Sequence, residues 1–166
     1  MDKIKIKEKV LSIISEAEKQ IPKKLEPDLT PNEYTDGQPE WHKYEHEIWK
    51  LGEEIRQLLD QHKSLYKDQE LLEKIISICL NRNSKRGRQS FIILLWNKSS
   101  NHYAEKLSTQ LNDKFVYGHV IEGFNKMKVS GFSDLVRPFC NDKITWIRNQ
   151  AKKYITLTSS QKTDPF

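Results

Sequence analysis

Apolar residues recur along this chain at steps of three and four, the spacing of one helix face. Ile6, Val10, Ile13, Ile14, Ala17 and Ile21 form the first such stripe, with Lys and Glu between them, and predict a helix over 3–20 that Pro22 ends. Trp41, Tyr44, Ile48, Leu51, Ile55, Leu58 and Leu59 form the longest stripe and predict a helix over 39–62. Pro39 suits its first turn, where an N–H has no helical partner, and Glu40, Glu45 and Glu47 suit its positive end. Between these helices lie Pro22, Pro27, Pro31 and Pro39 with Gly37, so 22–39 is predicted to be an irregular loop. Leu25, Leu29 and Tyr34 could pin it to the surface.

Beyond Asp68 the pattern becomes a ladder of shorter segments, 69–81, 85–97, 100–112, 115–128, 131–140 and 143–157. Leu107 and Leu111 lead to the turn Asn112–Asp113–Lys114, after which Val116, Val120, Phe124 and Met127 mark the next helix. Phe132, Leu135, Val136, Phe139 and Cys140 lead to Asn141–Asp142–Lys143, followed by Ile144, Ile147, Ala151, Tyr154 and Ile155. An earlier pair sets Leu72, Ile75, Ile76 and Cys79 before Phe91, Ile92, Leu94 and Leu95. No stretch alternates with period two, so no sheet is expected. The polar tail 158–166 is expected to fray.

The last of these hairpins resembles the HEAT repeat family in its short bacterial form, with Asp142, Ile147, Arg148, Ala151 and Ile155 at the family's places. The unit before it keeps Asp113 but lacks the Ile–Arg pair. The resemblance covers about residues 70–157, with repeats shorter than the roughly 40–47 residues usual for such units. It implies a right-handed stack of three helical hairpins over 68–157, capped by two N-terminal helices in 1–66. Arg148 would then bond to Asp142 or Asp113 in a structural ladder.

The chain has 166 residues, which fits one all-α domain. Its longest apolar run, Phe91 to Trp96, is too short to span a membrane, and the N-terminal stretch reads as a helix rather than a signal peptide. Cys79 and Cys140 each sit on an apolar face as free thiols, which points to the cytoplasm. The net charge of +5 is uneven: residues 1–83 hold 14 Lys+Arg against 17 Asp+Glu, and 84–166 hold 14 against 6. A basic half of this kind fits an acidic or polyanionic partner.

Three sets of residues carry candidate chemistry. His42-Lys43-Tyr44-Glu45-His46 fits H-x-x-E-H, which resembles the inverted zinc peptidases. On a helix His42 and His46 would share a face, with Glu122 nominated as a third ligand; the α/β context of those enzymes is missing. The second set is basic and aromatic: Lys85, Arg86 and Arg88, then Lys114, Tyr117 and His119, then Lys143, Trp146, Arg148, Asn149 and Lys152. Such a strip could neutralise phosphates and stack bases, and it resembles in composition the groove of HEAT-like alkylpurine DNA glycosylases, without their catalytic setting. Arg86 and Arg88 are expected to be exposed. The third set, Glu40, Glu45, Glu47, Glu53, Glu54 and Asp60, is either a solvated face or an acidic surface that meets a basic partner.

No glycine-rich phosphate loop, paired metal-ligand cysteines or catalytic triad emerges, and no cofactor is implied. Stacked hairpins offer a broad face to a large partner. The expectation is therefore a non-enzymatic protein-binding module, an immunity protein or antitoxin that occludes a toxin's active site. A nucleic-acid binder using the basic strip is the alternative.

Overall fold

The computed structural model describes residues 2–29 and 41–161, with the side chain of residue 161 left aside. Every regular element among them is helical. Loop residues 30–39, Glu40 and most of the polar tail, on which several expectations fell, lie outside the described residues. Two compact units are present, Met1–Leu94 and Leu95–Phe166. No described helix is long and apolar enough to cross a membrane.

In the first unit, α1 (Lys3–Gln20) buries Ile6, Val10, Ile13, Ile14 and Ala17, as its stripe predicts. Asp2 caps it, its carboxylate accepting from the Ile4 N–H. α2 (Lys43–Gln61) buries Ile48, Ile55 and Leu59 and packs against α1. α3 (Gln69–Leu80) is capped by Asp68, whose carboxylate accepts from the Leu71 N–H and pairs with Lys7 of α1 at 2.9 Å. α3 packs on both α1 and the short α4 (Gln89–Ile93).

The predicted helix over 85–97 is not continuous. A 3-10 stretch, Arg82–Arg88, precedes α4, and within it Lys85 takes φ 45° and ψ −126°, a conformation that suits glycine. Close backbone approach accompanies this kink. A Cβ at Gly87 would lie 2.8 Å from Ile48 Cβ and 2.9 Å from the Glu45 carbonyl, and one at Gly52 would lie 2.0 Å from Ser90 Oγ. Two glycines thus let the backbone of 82–90 sit directly on α2. The described part of the proline-rich loop is tied to the same place: Asn83 Nδ2 donates to the Pro22 carbonyl and Lys85 Nζ reaches Asp28 Oδ1 at 2.7 Å.

The second unit has the same mixture of long and broken helices. α5 (Ala104–Ser108) follows a 3-10 stretch, Lys98–Tyr103, where a helix over 100–112 is predicted. α6 (Tyr117–Met127) buries Val120, Phe124 and Met127 as its stripe predicts. It ends in a left-handed Lys128, and the Val129 N–H closes back on the Phe124 carbonyl. α7 (Ser133–Val136) gives way to the 3-10 stretch Arg137–Asn141, because Pro138 has no N–H to continue a helix. α8 (Thr145–Gln161) buries Ile147, Ala151 and Tyr154. Leu135 and Ile144, expected inside, are half-exposed at 53% and 47%.

α6 and α8 run parallel. A Cβ at Gly118 would lie 2.6 Å from the Trp146 ring and 2.7 Å from Ile147, at the N-terminal ends of both helices. Near the end of α6, Asn125 meets Gln150 and Phe124 meets Tyr154, one turn farther along α8. α7 folds back on α8, with Ser133 Oγ 3.0 Å from Thr158 Oγ1 and the Phe132 N–H donating to the Tyr154 hydroxyl.

Candidate functional site

The H-x-x-E-H segment is the start of α2 rather than a metal-binding turn within it. His42 is the capping residue and has left the helical path, with ψ 151°. Its Nε2 lies 2.9 Å from the Pro27 carbonyl, and its backbone N–H donates to Glu45 Oε2 at 2.8 Å. His46 is exposed and stacks on Trp41. The two rings have separate surroundings, Glu122 belongs to the other unit, and no metal-holding cluster occurs among the described residues. What the motif supplies is half of a capping box.

Glu45, read as part of an acidic surface, is fully buried. Besides the His42 N–H it accepts from the Arg86 backbone N–H at 3.0 Å, and Arg86 Nη1 lies 3.8 Å away. Glu53 and Glu54 lie nearer the surface and are paired, Glu53 with Arg56 at 2.8 Å and Glu54 with Lys9 at 3.6 Å. Tyr44, beside Glu45, has its hydroxyl pushed up to about 12, chiefly by burial.

The expected exposed basic cluster is also internal. Arg88 is fully buried, its Nη1 donating to the Cys79 carbonyl at 2.9 Å and its Nε to the Lys85 carbonyl at 3.3 Å. The Cys79 carbonyl belongs to the last turn of α3, where carbonyls lack helical partners and the dipole is negative. A guanidinium there closes the helix. Burial drives the Cys79 thiol well above its usual range, with Arg88 opposing more weakly. Cys140 is half-buried rather than inside. Lys85 is buried too, and Arg86 is mostly covered on its side chain.

In the second unit, Tyr117 donates to Asp142 Oδ2 at 2.9 Å, joining α6 to the turn before α8. This bond and burial raise the Tyr117 hydroxyl to about 12, burial being the larger cause. Arg148 donates to the Asp142 backbone carbonyl at 2.7 Å and to Thr145 Oγ1. It braces its own turn, as expected of a structural residue, but through a carbonyl rather than a carboxylate ladder. His119 lies between Trp96, stacked at 6.2 Å, and Trp146, edge-on at 5.4 Å, and its carbonyl accepts from the Trp96 indole N–H. Trp146 is 41% exposed, and Lys152 is exposed.

Comparison with protein-family models, curated proteins and solved structures returns no match. The surface must be read from its own chemistry. Trp146, Gln150, Lys153 and Leu157 lie one helical turn apart along α8, and all four face α6: Trp146 covers Gly118, Gln150 accepts from Asn125, and Lys153 and Leu157 border a cavity beside Phe124 and Asn125. Leu157 is 48% exposed. Sequence reasoning singled out Trp146 but missed the cavity at the far end. The recurrence 146, 150, 153, 157 was visible, but nothing in it told an open seam from a covered one.

Burial among the two indoles lowers the His119 pKa to about 4 from its usual 6.5. Its unfolded form takes up a proton first, so the unfolded state binds more protons between about 6.5 and 4. This contribution to stability is intact above pH 6.5 and lost progressively as pH falls towards 4. Melting followed by tryptophan fluorescence should show a drop across this window that is smaller in His119→Gln. Equal pH slopes for the two proteins would count against the half-buried, neutral ring.

Proposed function

We propose that this chain is a non-enzymatic protein-binding module built of HEAT-like hairpins, acting as a bacterial cytoplasmic immunity protein or antitoxin that occludes a toxin's active site. The observation that carries the reading is the α6–α8 seam, where half-exposed Trp146 and Leu157 flank polar groups on one stripe of a helix. Exposed tryptophan and leucine beside cations suit the anchor of a protein interface better than a solvated face. Successive second helices running parallel, as α6 and α8 do, is the arrangement a stack of hairpins requires. Three HEAT-like hairpins, the right-handed solenoid and the two capping helices remain part of this proposal. Tyr117, His119, Trp146 and Lys152 belong to the face assigned to the partner, whereas buried Arg88 and Glu45 support the fold instead.

The test uses the protein encoded beside this chain in its genome. Co-expression should relieve that protein's toxicity, and the two should form a stoichiometric complex by light scattering. Trp146→Ala should weaken the complex about 30-fold, the scale of a central anchor. No relief and no complex would sink the immunity reading. One observation favours the nucleic-acid alternative: residues 95–166 hold 11 Lys+Arg against 6 Asp+Glu, while 1–94 are balanced at 17 against 17. Binding to a single-stranded oligonucleotide that falls about 10³–10⁵-fold between 50 and 200 mM salt would establish that reading instead.

A further inference from the structure

The cavity at the C-terminal ends of α6 and α8 has about 300 Å³ of space. Val129, Tyr154 and Leu157 give it apolar walls, Lys128 and Lys153 line it as cations, and no Asp or Glu does. Both lysines are exposed, and neither makes a carboxylate pair among the described residues. Asn125 also lines the cavity. Its amide N–H groups are spent on the Gln150 carbonyl and side chain, while its Oδ1 is buried with no hydrogen-bond partner. A buried acceptor left unpaired is unfavourable, and a donor that reached it as the wall adjusts would relieve this.

Apolar walls, two cations and an unmet acceptor call for three things in one ligand: an apolar side chain, adjacent carboxylates and a backbone N–H. We propose that this cavity seats an apolar residue of a protein partner's acidic segment. The side chain enters between Val129 and Leu157, neighbouring Glu or Asp carboxylates lie against Lys128 and Lys153, and a backbone N–H of the segment supplies Asn125 Oδ1. Phosphates would satisfy the lysines but not the apolar walls or the acceptor, so an acidic peptide fits better than a nucleic-acid backbone. The proposal deepens the protein-binding reading and rests on it.

The probe is a synthetic peptide, N-acetyl-Leu-Glu-Glu amide, titrated into the full chain labelled with ¹⁵N. Saturable shifts should centre on Asn125, Lys128, Val129, Lys153 and Leu157. Affinity should fall about three- to tenfold for the Leu-Gln-Gln peptide and for the Lys128→Gln, Lys153→Gln variant, the scale of two exposed charge pairs. That variant replaces only exposed side chains, and an unchanged melting curve confirms that it folds. No saturable shift at these positions, an equal response to the neutral peptide, or a stronger response there to a short oligothymidylate would each overturn the proposal. The two readings fail separately. Peptide binding without a toxin complex sinks only the immunity reading, whereas a toxin complex indifferent to the lysine variant and to Leu157→Asn sinks only this one.

Discussion

Arg88→Ala is expected to destabilise the unit Met1–Leu94 by about 3–5 kcal/mol, as for the loss of a buried hydrogen-bonded charge. The side chain is wholly out of water and holds two backbone carbonyls, those of Cys79 and Lys85. Truncation leaves both acceptors without this donor, at about 1–3 kcal/mol each, and opens a cavity beneath the kink. The Cys79 carbonyl also loses the positive charge that complements the end of α3. Denaturation followed by circular dichroism measures the effect. Arg88→Lys should restore only part of it, because an ammonium lacks the planar fork that reaches two acceptors at once. If Arg88→Ala melted like the parent but lost partner binding, the side chain would have to be at the surface after all.

The effect is large because Arg88 is in an unusual place for its type, and this is also why the sequence misled. Charged residues are rarely fully buried unless satisfied, and their partners here are distant in the chain. Arg88 reaches back nine positions to Cys79, Glu45 reaches 41 to the Arg86 N–H, and Lys85 reaches 57 to Asp28. No periodicity reports such pairs. The long helices were legible for the opposite reason. α1, α2, α3 and α8 each hold an uninterrupted apolar stripe, and their observed limits fall within a few residues of the predicted ones.

The broken segments were harder to read. Around Lys85, Gly87 and Pro138 the chain keeps an apolar rhythm, but the backbone leaves helical angles at Lys85 and has no N–H to offer at Pro138. Of the candidate face, Trp146 and His119 were legible as aromatics on second helices. The cavity beside Asn125 was not, because it depends on how α6 closes at a left-handed Lys128.

Glu45→Ala is expected to cost about 3–5 kcal/mol as well, and it separates two uses of one motif. If H-x-x-E-H were a surface or metal-binding element, losing the carboxylate would leave folding almost untouched. In the structure the carboxylate accepts from two backbone N–H groups, those of His42 and Arg86, and faces the Arg86 guanidinium. Alanine at this position removes this acceptor from both donors, frees the first turn of α2 and releases the 82–88 stretch from it. Glu45→Gln keeps one acceptor oxygen but turns an NH₂ towards a donor, so it should fall between parent and alanine. His46→Ala removes an exposed ring stacked on Trp41 and should stay within about 0.5 kcal/mol of the parent. Urea denaturation of the three variants tests the order. A Glu45→Ala protein as stable as His46→Ala would mean that α2 and the 82–88 stretch are held together by something other than this carboxylate.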